Sequence, residues 1–293
     1  MSEYLQFDKK LFQSHYPEKT FAVKHNLVGN PLLGIPSLVE LSKILPEIQI
    51  EFYTGKVGVN EDKTKTPPTG LTATETIAKI ESAESWLVLK RVEWDPKYRE
   101  LVHGCLEPFE GLIQSKTPQM EDYRGWVFVT SPQSISPYHV DPEHNLLLQI
   151  QGTKTIHVFD QNDRDLLSSE ELERFYQLGT KYPKLEWKEE FMEKARTFVM
   201  KPGDGVFIPV AAPHWVKVED EVSVSISLTW YTPEIGRRAR TFKLNSMLRK
   251  MGINPTDYGR SPKVDAAKWA LISSILKTKK ALGLDKEPNV ANH

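Results

Sequence analysis

The chain has 293 residues, with 38 Lys and Arg against 39 Asp and Glu and a formal net charge of −1. This length buries a full core and suits one large domain, or one domain with an appendage. The single cysteine, Cys105, excludes an intramolecular disulfide and a cysteine-based zinc site, so a metal would be held by His, Asp or Glu. No apolar run is long enough to span a bilayer and no charged-then-apolar leader follows Met1, so the expectation is a cytoplasmic protein without membrane contact.

Taken in chain order, Phe21-Ala-Val-Lys reads as a short strand, and Ser37 to Leu45 as a helix ended by Pro46. Residues 56 to 71, rich in Gly, Asn, Lys and Thr with two adjacent prolines, read as a mobile loop. Thr72 and Glu75 stand at capping-box spacing and predict a helix to about Ser82. The apolar, β-prone run from Trp86 to Val92 predicts a strand, and Asp95 to Gln114 a return to helix. From Tyr123 to Tyr231 short strands recur between turns, which argues for an antiparallel sandwich or barrel. A charged, helical stretch at about 161–194 interrupts them as an insertion. Two helices close the chain, at about Thr241 to Met251 and Val264 to Leu282.

Within the strand region, Ser136-Pro137-Tyr138-His139-Val140-Asp141 places an imidazole and a carboxylate two residues apart. Side chains at i and i+2 of an extended chain point the same way. Pro137 and Pro142 bias Ser136 and Asp141 towards extended geometry. Alone, His-x-Asp is as readily chance or a surface turn. A second half supports the stronger reading: Gly203-Asp204-Gly205 as a turn, Val206 to Pro209 as a buried strand end, then Pro213-His214. Two imidazoles and one carboxylate, His139, Asp141 and His214, cover one face of an octahedral metal and leave the other open. That arrangement suits Fe(II) with a co-substrate and O₂.

Val222 to Tyr231 alternates strictly, with Val222, Val224, Ile226, Leu228 and Trp230 on one face and Ser223, Ser225, Ser227, Thr229 and Tyr231 on the other. A barrel strand with a polar face beside the third ligand is what a solvent-filled pocket needs. Asn145 to Gln151 and Thr153 to Phe159 read as strands joined at Gly152. Lys154 then shares an apolar face with Ile156 and Val158. It is either an edge lysine reaching out to water or a buried cation awaiting an anionic co-substrate. His144 reads as a loop residue and His157 as an outward strand residue. Trp126, Trp215 and Trp230 read as core or cavity wall, and Tyr138 points away from the metal face.

The run from Ser136 through Lys154 resembles the core of the JmjC/cupin-like Fe(II)- and 2-oxoglutarate-dependent oxygenases. That family includes the asparaginyl hydroxylase acting on hypoxia-inducible factor and its bacterial relatives. The resemblance covers about residues 123 to 231. It implies Fe(II) bound by His139, Asp141 and His214, with 2-oxoglutarate and O₂ as co-substrates. It also implies Lys154 on the far carboxylate of 2-oxoglutarate, with Ser136 and Asn145 lining the same pocket. Relatives often carry an amide on the strand after the distal His, where this chain offers Ser227, Leu228 and Thr229.

The expected fold is mainly β with α additions: a double-stranded β-helix (jelly-roll or cupin) core at 123–236 holding the insertion 161–194. Residues 1–122 supply N-terminal α/β elements packed on the barrel, and 237–293 form a C-terminal helical region. The expected activity is hydroxylation of a C–H bond on a protein or peptide side chain or an amino-acid-like substrate. Two alternatives are a cupin-type metal isomerase or hydrolase that ignores 2-oxoglutarate, and a regulatory binding module without turnover. From Arg237 onward basic residues outnumber acidic ones roughly three to one. That reads as a solvated helical face rather than a nucleic-acid surface, because no stacking motif accompanies it. Val264, Ala267, Leu271 and Ile275, flanked by Trp269, Ile272 and Leu276, form a wide apolar stripe. It would either cap the barrel or join two copies as a homodimer.

Overall fold

A computed structural model describes residues 4–6, 8–62, 65–66, 69–117, 119–179 and 184–283. Its strands, in chain order, are β1 (Leu5–Gln6), β2 (Phe21–His25), β3 (Ile50–Thr54), β4 (Ser85–Lys90), β5 (Glu121–Thr130) and β6 (Ile135–His139). They continue with β7 (His144–Gln151), β8 (Lys154–Val158), β9 (Arg196–Met200), β10 (Asp204–Ile208), β11 (His214–Val218) and β12 (Ser223–Tyr231). The helices are α1 (Lys9–His15), α2 (Ile35–Ile44), α3 (Ala73–Ala78), α4 (Pro96–Leu106), α5 (Glu110–Gln114), α6 (Ser169–Leu178), α7 (Pro233–Lys250) and α8 (Pro262–Ala281).

The strands form an eight-stranded sheet of order β1-β2-β10-β7-β12-β5-β4-β3 and a four-stranded sheet of order β6-β11-β8-β9. Every pairing is antiparallel. This is the double-stranded β-helix with helical additions that the sequence predicts. The N-terminal strands lengthen the large sheet at both edges: β2 pairs with β10, and β4 with β5.

Alternation along the strands sorts side chains into two layers. Outward from the large sheet, Leu146, Leu148, Ile226, Leu228 and Trp230 join Leu38, Leu41, Val102 and Leu106 of α2 and α4 in one buried cluster. Each such side chain contributes about 1.5–3 kcal/mol by leaving water. Inward, Leu147, Ile156, Val158, Met200, Val206, Ile208, Ala212 and Val216 form a smaller cluster. The predicted apolar and polar faces of Val222 to Tyr231 correspond to this outer and inner division.

Local signals place most elements where the sequence puts them. Thr72 caps α3 in a reciprocal capping box with Glu75, though the helix ends at Ala78, short of Ser82. Residues 63, 64, 67 and 68 of the expected loop lie outside the described residues, as do 180–183 of the insertion. The first of the two closing helices begins at Pro233, well ahead of the expected Thr241, because proline is well suited to a helix's first turn. At the joint between β7 and β8, Gly152 has φ +69, and a Cβ there would stand 2.3 Å from the Val222 carbonyl oxygen. Glycine is required by both conformation and space.

Residues 167–179 and 233–283 fall in a second compact unit built from α6, α7 and α8. Arg249 ties it together, with Nε and Nη2 each 3.0 Å from a Glu173 carboxylate oxygen and Nη1 2.9 Å from Glu170. Tyr176 stacks on Phe242 at 5.3 Å. Of the predicted stripe on α8, Ile272 is buried, whereas Val264, Trp269 and Leu271 are exposed. No helix among the described residues is long and apolar enough to cross a membrane.

Candidate metal centre and inner pocket

His139 closes β6 and His214 opens β11, and the two residues are direct cross-strand partners. Asp141 follows on the turn after β6. Its carbonyl oxygen accepts the Ala211 N–H at 2.8 Å, which ties it to the turn that delivers His214. Ala211 holds φ +58, a left-handed conformation costly for a residue with a Cβ. The carboxylate oxygens of Asp141 lie 3.9 Å from His139 Nε2 and 3.6 Å from His214 Nε2. One ligand atom from each of the three residues falls within 4.8 Å of the others.

Both imidazoles are oriented from behind. His139 Nδ1 donates to the Pro137 carbonyl at 2.6 Å, and His214 Nδ1 to the Ala212 carbonyl at 3.0 Å. With the proton on Nδ1, each Nε2 presents its lone pair beside Asp141, which is how metal-binding histidines are held. His214 is buried, while His139 and Asp141 are part-exposed, so the centre is open on one side.

The pairing of β6 with β11 carries an irregularity: His214 faces His139, but Val216 faces Ser136. Three steps on β6 oppose two on β11, a bulge that turns Ser136 back to the inner face shared by Val216. Tyr138 takes the outer face, buried against Trp187 at 5.2 Å and Phe159 at 5.6 Å. Directly opposed residues share a face. Thr229 pairs with Asn145, so Asn145 is also inward, as is Val158, which pairs with His214.

Lys154 is 4% exposed, and its Nζ donates to Ser225 Oγ at 2.6 Å. Burial pushes its ammonium down to about 7. The snorkelling alternative is excluded, since the side chain points into the barrel. A buried amine with a single neutral acceptor among the described residues is poised for an anion that would restore its charge. The six residues that the sequence nominates, His139, Asp141, His214, Lys154, Ser136 and Asn145, thus share one inner face.

The inner wall also carries buried polar atoms with no hydrogen-bond partner among the described residues: Trp126 Nε1, Asn145 Oδ1, Ser227 Oγ and Thr229 Oγ1. A buried polar group left unpaired costs about 1–3 kcal/mol. Several on one wall beside a His–Asp–His cluster fit a small polar ligand next to a metal.

Sequence reasoning missed one group. Glu143, two residues beyond Asp141, is buried, and Tyr231 donates to its Oε2 at 3.1 Å. Burial first, then the neighbouring Asp141 charge, holds its carboxyl well above the usual range, while Arg124 works the other way. The buried Arg124 donates from Nε to Asp122 at 3.0 Å and lies 5.0 Å from the Tyr231 ring. The one available signal was a charged residue three positions ahead of the apolar run Leu146-Leu147-Leu148.

One histidine reading needs correction, and a second gains detail. His144 is not a loop residue: it opens β7, 3% exposed, with its ring 5.3 Å from Tyr16 and 5.6 Å from Trp230. His157 does lie on the outer face, but it is buried there, stacked on Trp215 at 4.2 Å and bonded to Thr197. Elsewhere, a groove of about 460 Å³ beside Arg91, Trp94, His103 and Tyr123 contains none of the nominated residues. Its charges are partnered locally, Arg91 with Glu93 and His103 with Glu107.

A β-helix of this topology with a His–Asp–His cluster at one end defines a cupin. The sequence model of the cupin-like domain matches residues 59–237, more than half of the chain, and the chain belongs to that family. Lysine-specific demethylase 8 of Danio rerio is 33% identical over 102 residues, which are 33% of this chain and 25% of that protein. Jumonji C domain-containing protein 5 of Drosophila melanogaster is 30% identical over 127 residues, 41% of this chain and 30% of that one. The match therefore spans about a quarter to a third of these curated relatives. Among solved structures, Escherichia coli ycfD superposes with a TM-score of 0.54 at 16% identity, over 98% of this chain and 70% of that one. YcfD in complex with cobalt and 2-oxoglutarate gives 0.53 at 15% identity, over 95% and 69%. At those identities the likeness establishes the fold.

Proposed function

We propose that this protein is an Fe(II)- and 2-oxoglutarate-dependent oxygenase that hydroxylates a C–H bond on a protein or peptide side chain. The observation that carries the reading is the pairing of two features on one inner face. Two imidazoles oriented by backbone carbonyls converge on Asp141, and Lys154 is buried deeper in the same barrel with a serine hydroxyl as its only hydrogen-bond partner among the described residues. A metal isomerase or hydrolase has no need of that lysine. The YcfD structures support the same chemistry, being described as a ribosomal oxygenase with cobalt and 2-oxoglutarate or succinic acid. The names of the relatives, a ribosomal oxygenase and a lysine-specific demethylase, favour a polypeptide substrate.

His139, Asp141 and His214 would hold the ferrous ion on one face. With 2-oxoglutarate and O₂, that ion would supply the oxidising power for hydroxylation, one oxygen atom going to the substrate carbon and the other to the succinate that would be left, with CO₂, from the keto acid. The chain's own residues do the positioning. Lys154, with Ser225 and Ser136 nearby on the inner face, would hold the far carboxylate, and Asn145 would line the metal side. Leu147, Ile156, Val158, Val206 and Val216 keep the barrel floor dry, which strengthens each polar contact made there. The part-exposed side at His139 and Asp141 leaves the route by which a substrate side chain enters.

Two further parts belong to the proposal. A cytoplasmic setting suits a chain whose one cysteine is buried and unbridged. The exposed Val264, Trp269 and Leu271 on α8 favour a homodimer through the C-terminal helices, which sedimentation equilibrium tests directly. For the central reading, wild-type protein supplied with ferrous iron, ascorbate and 2-oxoglutarate should form succinate. His139→Ala and Asp141→Ala should reduce this to background. Undiminished turnover in either variant contradicts the iron assignment.

A further inference from the structure

The segment His139-Val140-Asp141-Pro142-Glu143 repeats one spacing twice. Alternate residues of an extended chain point the same way, so the rule that pairs His139 with Asp141 also offers Glu143 as a ligand. The fold does not use it. Glu143 stands outside the cluster in which His139, Asp141 and His214 converge, although the Asp141 charge acts on it. A carboxylate close to a divalent ion is a strong ligand for it, so something must hold this one away.

Tyr231 is that restraint. Strand β12 pairs Thr229 with Asn145 and Trp230 with His144, and the same register carries Tyr231 to Glu143. There its hydroxyl donates to Oε2 at 3.1 Å. Arg124, 1% exposed, lies 5.0 Å from the Tyr231 ring, and its charge attracts the Glu143 carboxylate. A bulge anchors Arg124 in turn: Thr229 opposes Arg124 but Tyr231 opposes Glu121, so three steps on β5 face two on β12. Within it Asp122 adopts φ +54 and accepts from Arg124 Nε at 3.0 Å, while Arg91 Nη2 reaches its other oxygen at 3.3 Å. Bulges beside active sites re-aim side chains in this way. Buried charges are costly to keep, and the roles assigned above leave Glu143, Tyr231, Arg124 and Asp122 without one.

We propose that Tyr231, backed by Arg124, is a positioning residue that keeps Glu143 off the metal and so keeps the open face of the ion free. An octahedral ion with three protein ligands retains three positions, which a chelating keto acid and O₂ together fill. A fourth protein ligand would bind the ion more tightly and leave the keto acid too little room. The inference rests on the iron and 2-oxoglutarate reading and names what preserves the open face that this reading requires.

The test is calorimetry of Mn(II) binding and then of 2-oxoglutarate binding to the Mn(II) protein, with coordinated water counted by water-proton relaxation. Tyr231→Phe keeps the ring and removes the hydroxyl that holds Glu143. It should bind Mn(II) about tenfold tighter, with one fewer coordinated water, and then bind 2-oxoglutarate about tenfold more weakly. Adding Glu143→Gln removes the rival carboxylate and should return both affinities to within about twofold of wild type. Arg124→Lys keeps the charge and loses the planar fork, so it should shift both affinities the same way by less; it carries the test if Tyr231→Phe does not fold. A merely structural defect would weaken both affinities and would not be reversed by Glu143→Gln. That result, or unchanged metal affinity and water count in Tyr231→Phe, overturns this inference alone. If Mn(II)-loaded wild type binds no 2-oxoglutarate, the proposed function falls, while the metal affinity and water count still decide the role of Tyr231.

Discussion

The two faces of β12 divide the molecule's labour. Outward, Val224, Ile226, Leu228 and Trp230 are at most 1% exposed and belong to the large apolar cluster with the N-terminal helices. Inward, Ser223, Ser225, Ser227 and Thr229 are equally buried, yet two of their four hydroxyls have no partner among the described residues. Stability resides in the outer layer, which is apolar on this strand apart from the Trp230 indole N–H, itself without a partner among the described residues. The inner layer keeps contacts in reserve, and a fold tolerates that where a ligand will complete them. The same contrast separates the buried leucines of β7 from Lys154, whose burial is unfavourable until an anion arrives.

This division is sharpened by damaging each layer separately. The largest effect on stability should come from the outer one. Leu106→Ala, at a fully buried position on α4 away from the barrel interior, should cost about 2–5 kcal/mol in denaturant unfolding. The protein that remains folded should bind 2-oxoglutarate as tightly as wild type. A large loss of affinity in that variant would break the division.

Lys154 should show the opposite pattern. Its ammonium, ordinarily near 10.5, is pushed down to about 7 in the folded protein by burial. Between those values the unfolded chain binds more protons than the folded one, so this residue makes stability rise with pH across roughly 7 to 10.5. Below 7 both states are protonated and the full burial penalty applies. Lys154→Met should therefore melt higher than wild type at pH 6, with the advantage shrinking as pH approaches 10. The same variant should lose most affinity for 2-oxoglutarate. In wild type, that affinity should weaken several-fold between pH 7 and 8, because the anion selects the protonated amine. A pH-independent affinity would remove Lys154 from the site.

The smallest effect concerns the turn between the layers. Ala211 holds a left-handed φ while its N–H fixes Asp141. Ala211→Gly relieves that strain at the expense of a more flexible unfolded chain, so thermal unfolding should shift by no more than about 1 kcal/mol in either direction. Metal affinity should be unchanged, since the N–H is retained.

What could be read from the sequence, and what could not, follows from the range of the interactions. His139, Asp141, His214 and Lys154 were legible because their meaning lies in local spacing, strand alternation and a glycine joint. The alternation of β12 was legible for the same reason. The bulge that turns Ser136 inward was not, because it exists only in the pairing of β6 with β11. Nor was the Trp126 and Thr229 patch, which depends on which strands become neighbours. Glu143 was overlooked because its burial is imposed by Tyr231 and Arg124, distant in sequence. The apolar stripe on α8 was visible, yet periodicity alone did not show that Val264, Trp269 and Leu271 would remain exposed. Likewise α6 read as part of an insertion, whereas its charged face meets Arg249 of α7.

The most direct measurement is an anaerobic titration of metal-free protein with Fe(II) and then 2-oxoglutarate, followed in the visible spectrum. A keto acid chelated to ferrous iron at this centre should give a weak charge-transfer band that needs both components and is absent in His139→Ala. Iron binding without a band on adding 2-oxoglutarate would contradict the oxygenase reading and favour a cupin metal enzyme of another class.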